Sequence, residues 1–168
     1  MKKILITGGG GYIGSMLTTE LVNLKYDVTV IDQLKYDKSA LDHLYFNKNF
    51  RLINEDVRSL KILKQHINKN EFIIPLAALV GAPLCEKNKK EAVSTNFEAI
   101  KKILTNLSAK NKLIYLTTNS GYGIGEKNKY CNEESPLKPM SLYGKTKCDA
   151  EIEVMKLKNT ISFRLATV

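Results

Sequence analysis

Short apolar runs and longer stretches of helical spacing alternate along the chain. The runs fall at residues 4–6, 27–31, 50–54, 72–80, 112–118 and 160–168, and read as strands buried on both faces. Between them, apolar residues recur at helical intervals: Tyr12, Ile13, Met16, Leu17, Leu21 and Val22; a shorter set at 40–46; Leu60, Leu63 and Ile67 behind Ser59 as N-cap; Val93, Phe97, Ile100, Ile103, Leu104 and Leu107; and a helix opened by Ser141. Residues 33–38, 81–88 and 124–140 read as loops, and Pro75 marks the point where regular pairing of the fourth strand ends. The alternation predicts a doubly wound α/β fold. Its parallel sheet has the order 3-2-1-4-5-6, with helices on both faces and a ligand at the carboxyl ends of the strands.

The first strand runs into four consecutive glycines, Gly8 to Gly11, and Gly14 lies in the helix that follows. Two spacings overlap here, G-x-G-x-x-G from Gly9 and T-G-x-x-G-x-x-G from Thr7. In a strand–turn–helix setting, Gly8 serves the tight turn, Gly11 the close approach of backbone to a pyrophosphate, and Gly14 the packing of helix on strand. Asp32 closes the second strand, about 20 residues on, where a carboxylate accepts hydrogen bonds from the adenosine ribose and repels a 2′-phosphate. NAD is therefore expected over NADP, with Lys35 keeping dual specificity open. Asp56 and Val57, past the third strand, are placed to reach an adenine. Ala77 and Ala78 either let a flat ligand pass over the backbone or simply pack. Asn96 lies on or beside an apolar helix face, where a buried amide requires a partner.

Tyr143 and Lys147 are four residues apart on one helix face. A phenol with a pKa of about 10 is too weak a base at neutral pH, but a neighbouring ammonium and an oxidised nicotinamide favour its ionised form. Tyr143 then takes a hydroxyl proton as hydride leaves the same carbon. Thr117 and Thr118, ending the fifth strand, each offer a hydroxyl to orient the substrate oxygen.

Composition narrows the classes. The 168 residues suffice for one domain with its own core, and 43% are hydrophobic. No apolar run reaches membrane-spanning length and no secretory leader is evident, so a cytoplasmic protein without a membrane partner is expected. Cys85, Cys131 and Cys148 are scattered, and His43 and His66 isolated, so neither disulfides nor a metal site is expected. The formal net charge of +9 comes mainly from lysines dispersed over the helices, with arginine only at 51, 58 and 164. That dispersal reads as solvated surface rather than a nucleic-acid site.

The ordered set of Thr7, Gly8, Gly11, Gly14, Asp32, Asp56-Val57, Ala77-Ala78, Asn96, Thr117 to Gly123, and Tyr143 with Lys147 resembles the extended short-chain dehydrogenase/reductases. Within them it resembles the NAD-dependent epimerase/dehydratase family of nucleotide-sugar enzymes, of the UDP-glucose 4-epimerase kind, and the resemblance spans the chain. It implies a Rossmann domain at 1–168 in which Gly8, Gly11, Tyr12, Ile13 and Gly14 hold the pyrophosphate, Asp32 the ribose, and Asp56 and Val57 the adenine. Leu76, Ala77 and Ala78 would line the cofactor, Asn96 would support the strand ends beside it, and Thr117 would border it. Thr118, Tyr143 and Lys147 would form the catalytic set, with Tyr143 as base and Lys147 on the nicotinamide ribose.

Two departures matter. Sugar 4,6-dehydratases of the family carry Asp-Glu after the catalytic threonine, whereas Asn119 and Ser120 stand here, which disfavours dehydration. Epimerisation by transient oxidation is expected, with nucleotide-sugar reduction or dehydrogenation as the alternative. Family members also continue into a smaller substrate-gripping lobe beyond the sixth strand, which leaves a non-catalytic NAD-binding module as a reading of another class. A UDP-hexose type of substrate is implied, and a homodimer through helices near 91–108 and 141–158.

Overall fold

The computed structural model describes residues 1–125 and 130–166. Six parallel strands form one sheet, β1 (Lys3–Thr7), β2 (Asp27–Ile31), β3 (Phe50–Ile53), β4 (Phe72–Pro75), β5 (Lys112–Thr118) and β6 (Thr160–Leu165), in the order β3-β2-β1-β4-β5-β6. The last two residues of the expected sixth strand, 167 and 168, lie outside the described residues, as do 126–129 of the expected loop.

Helix α1 (Tyr12–Asn23) covers one face with the turn at Asp42–Leu44, enclosing Ile4, Ile6, Val28, Val30 and Leu41. The other face packs Leu5, Ile73, Leu113 and Tyr115 against α2 (Leu60–Ile67), α5 (Ala99–Leu104) and α6 (Leu142–Val154). In β1, β2 and β4 the side chains pointing to either side of the sheet are thus buried, as their apolar runs require, while the edge strand β6 leaves Ile161 and Phe163 exposed. Among the described residues no helix is long and apolar enough to cross a membrane.

Three expectations need correction. The buried stripe of α1 is Gly14, Thr18 and Val22, while Tyr12 is 77% exposed and Met16 is exposed too. The start of the helix lies so close to the glycine turn that Gly14 and Thr18 face inward there, and larger side chains, Leu17, Leu21 and Val22, pack on the sheet beside and beyond them. Residues 81–88, expected as loop, contain helix α3 (Ala82–Lys87). Pro83 sits in its first turn, where a missing N–H costs nothing, and Gly81 enters at φ 91. The long helix expected to reach Leu107 ends at Leu104 and is interrupted: α4 (Lys89–Val93) passes through a π-turn, Ser94–Glu98, into α5. That inserted turn carries Asn96.

Serine caps are found where the sequence placed them. Ser59 Oγ accepts from the Ile62 N–H, and Ser141 Oγ accepts from the Gly144 N–H.

Strand β4 follows β1 through four residue pairs, from Ile4–Phe72 to Thr7–Pro75, but pairs with β5 only at Phe72–Lys112 and Ile73–Leu113. The chain has therefore left β5 after Ile73, while Pro75, with no N–H to offer, ends the strand still paired with Thr7 of β1. A crevice opens there, at the carboxyl ends of the strands, where the winding of the sheet reverses.

Candidate active site

The crevice has a volume of about 1040 Å³ and runs from Asp32 and Asp56 at one end to Thr118, Tyr143 and Lys147 at the other. Its floor is the glycine turn. Gly8 has φ 78, and a Cβ there would lie 2.4 Å from the Ala77 nitrogen, so only glycine lets β1 turn under the exit of β4. A Cβ on Gly14 would lie 2.2 Å from the Gly8 carbonyl oxygen, which is how α1 is seated directly on the turn. A Cβ on Gly11 would meet nothing nearer than the Gly8 oxygen at 3.4 Å, so the ground over Gly11 is open.

The first intrahelical bond of α1 is Ser15 N–H to the Gly11 carbonyl, leaving the N–H groups of Tyr12, Ile13 and Gly14 without helical acceptors. No acidic side chain occupies that first turn, so the positive end of the helix dipole is uncompensated.

At the end of β2, Asp32 Oδ2 accepts from the Gly10 N–H at 2.8 Å and Oδ1 from the Leu34 N–H at 2.7 Å. Each carboxylate oxygen keeps a further lone pair toward the crevice. Asp56 is differently engaged: the Arg58 guanidinium holds it, with Nε 3.0 Å from both carboxylate oxygens, and lowers its pKa below the usual range. Val57 is buried behind it in the core.

Asn96 is 2% exposed and does not line the crevice. Its Oδ1 accepts from the Leu79 N–H at 2.8 Å and its Nδ2 donates to the Leu79 carbonyl at 2.9 Å. One amide therefore satisfies both backbone groups of a residue that has left the sheet, fixing the wall formed by Leu76, Ala77 and Ala78 from behind.

At the far end, β5 brings Thr117 and Thr118 opposite α6. Thr118 Oγ1 stands 3.1 Å from Ser120 Oγ and caps the turn that follows. Burial raises the pKa of the Tyr143 phenol, the Cys85 thiol adds to that, and the Thr118 hydroxyl beside it acts in the opposite sense. Lys147 is 6% exposed, donates to the Leu116 carbonyl at 2.7 Å, and lies over the Tyr115 ring at 4.2 Å. Burial lowers its pKa to about 7, against the opposing field of Glu151. The sequence reading had Lys147 easing ionisation of the phenol. In the structure the ammonium is engaged with β5, and the phenol alone is harder to ionise than an exposed one.

These residues fit a dinucleotide. The glycine cradle excludes side chains at Gly8 and Gly14, unpaired helix N–H groups and a carboxylate face the same crevice, and Thr117 Oγ1 is buried with no partner among the described residues. The sequence brought Asp32, the glycines, Thr118, Tyr143 and Lys147 to one crevice. It placed Arg58 beside Asp56 at the adenine end but missed Glu91, which borders the same end; the Lys35–Glu91 pairing spans 56 residues, and no local pattern signals it.

Comparison with known proteins gives the same picture. The family model described as "NAD dependent epimerase/dehydratase family" matches residues 4–168. A UDP-N-acetyl-alpha-D-glucosaminuronate decarboxylase of Bacillus cytotoxicus is 33% identical over 125 residues, 74% of this chain and 39% of the relative. A bifunctional UDP-glucose 4-epimerase and UDP-xylose 4-epimerase of Pisum sativum is 26% identical over 87% of this chain and 45% of its own. Among solved structures, UDP-glucuronic acid 4-epimerase from Bacillus cereus in complex with NAD superposes with a TM-score of 0.85 at 28% identity, covering 98% of this chain and 57% of that one. The chain spans about half the length, or less, of the curated relatives it matches.

Proposed function

Because the chain belongs to the NAD-dependent epimerase/dehydratase family, we propose that it holds NAD in the crevice and forms the cofactor-binding and catalytic half of a nucleotide-sugar epimerase. The convergence of Thr118, Tyr143 and Lys147 on the crevice that begins at the glycine turn carries this reading. Gly8, Gly11, Tyr12, Ile13 and Gly14 would hold the pyrophosphate, Asp32 the adenosine ribose, and Asp56 and Val57 the adenine side. Lys147, with Thr117 nearby, would hold the nicotinamide end.

NAD, when bound, supplies the hydride acceptor and donor. Tyr143 takes the proton from a sugar hydroxyl as a phenolate, a form that the positive charge of an oxidised nicotinamide would favour against the effect of burial, and returns it, with the Thr118 hydroxyl orienting the sugar oxygen. Asn119 and Ser120, at the crevice beside Thr118, are poor acids and bases, which supports a cycle without elimination. A UDP-hexose is the proposed substrate class, in keeping with the UDP-sugars of the related enzymes. A homodimer through the segments near 91–108 and 141–158 is supported by exposed apolar side chains on both, Val93 and Ile152.

The burial that raises the pKa of the Tyr143 phenol favours one second reading, a module that binds NAD without turning over substrate. The test is to release and identify the bound nucleotide, then to follow UDP-glucose and UDP-galactose interconversion. Wild type is expected to carry NAD and interconvert the sugars, and Tyr143→Phe to carry NAD without interconverting them. NAD without turnover in either protein selects the module. Protein that neither carries NAD nor binds NADH would overturn both.

A further inference from the structure

The end of the crevice bounded by Asp32 and Asp56 holds a cluster of charges that the proposed reaction does not use. Lys35 Nζ lies 2.9 Å from Glu91 Oε1, joining the loop after β2 to α4 across 56 residues, and both side chains line the crevice. Lys35 and Arg58 are the two cations at this end among the described residues. Arg58 is committed to Asp56 and also donates to Ser94 Oγ at 3.2 Å. The pairs sense each other: Lys35 helps lower the pKa of Asp56, and Glu91 helps raise that of Arg58. Leu34, at φ 50, turns its side chain into the core and leaves Lys35 projecting at the rim.

We propose that Glu91 sets the preference between the two nicotinamide dinucleotides, by pairing with Lys35 and withholding that cation from a 2′-phosphate. The inference rests on the reading of the crevice as a dinucleotide site and names the residue that tunes it. Asp32 alone disfavours a 2′-phosphate by repulsion, but an ammonium on a flexible stem three residues away offsets that repulsion if it is free to swing. The Glu91 carboxylate, 2.9 Å away, holds it back. The ion pair is half exposed, so its strength is modest and screened by salt.

The test is fluorescence titration of the purified chain with NADH and with NADPH at low ionic strength. Wild type is expected to favour NADH. Glu91→Gln should raise the affinity ratio of NADPH to NADH by about fivefold, and the double variant Lys35→Met/Glu91→Gln should return it to the wild-type value. An unchanged ratio in Glu91→Gln, with NADH still bound, overturns the inference while leaving the dinucleotide site standing. A gain that survives the loss of Lys35 assigns the effect to repulsion by Glu91 alone and also overturns it. Wild-type protein that binds neither dinucleotide removes the site itself.

Discussion

The Lys147 ammonium donates to the Leu116 carbonyl at 2.7 Å, joining α6 to the strand that carries Thr118 two residues later. The bond ties the two elements that bear the proposed catalytic groups, and it does so with a cation almost wholly removed from water. The structure therefore carries a desolvation cost at its candidate active site that pH can modulate.

Above about pH 7 the folded chain has released the Lys147 proton, whereas the unfolded chain keeps it up to its ordinary value of 10.5. Unfolding in that interval takes up a proton, so the contribution of Lys147 to stability rises with pH and is lost as pH falls through 7. Buried Cys85 and Cys148, with pKa values raised above their ordinary 9.0, act in the opposite sense only as the unfolded thiols ionise. Urea melts between pH 7 and 8 should show stability increasing with pH, and Lys147→Met should flatten the slope. An equal slope in the variant would remove Lys147 as its source.

The glycines of the turn should separate folding from binding. Gly14→Ala drives a methyl into the Gly8 carbonyl and should destabilise the chain by about 2 kcal/mol or more. Gly11→Ala meets only open ground and should change stability by less than about 1 kcal/mol, yet weaken NADH binding markedly. Thermal melts and NADH titration read the two effects separately.

Arg164 Nε donates to both oxygens of Glu151, at 2.9 and 3.2 Å, and Nη1 donates to the Tyr122 hydroxyl at 3.1 Å. Removing the guanidinium leaves the buried Glu151 carboxylate without a hydrogen-bond donor among the described residues, so Arg164→Ala should cost about 3 kcal/mol or more. Lys156→Ala, which breaks an exposed pair with Glu153, should cost less than about 1 kcal/mol. Equal losses in chemical denaturation would contradict the assignment.

Asn96→Ala strands the N–H of Leu79 in a buried setting and leaves its carbonyl only the weak Cys85 thiol as donor, a loss of about 2–3 kcal/mol. Asn96→Asp keeps the acceptor for the Leu79 N–H but sets a second acceptor against its carbonyl, so it should not rescue the fold. A ligand-free measure such as amide exchange at Leu79 should show faster opening in both variants.

The strand order and the crevice were legible because the central strands β1 and β4 carry apolar runs between helical patterns and the glycine spacing answers a single steric demand at Gly8 and Gly14. The helices were less so. Tyr12 and Met16 have helical spacing yet face outward, because close seating of α1 selects Gly14 and Thr18, which carry no hydrophobic signal. Helix α3 was hidden by Gly81 and Pro83, which mark loops as readily as helix starts. The π-turn follows from tertiary bonds of Asn96 to Leu79, and the Lys35–Glu91 pair from two segments that meet only in the fold. Neither has a local pattern to betray it.

After two residue pairs the fourth and fifth strands part company, so the cleft between them is bounded on that side by backbone that shares no ladder. A long, flat guest can therefore lie between the two strand ends without displacing a ladder bond, and filling the cleft asks nothing of the pairing that holds the sheet.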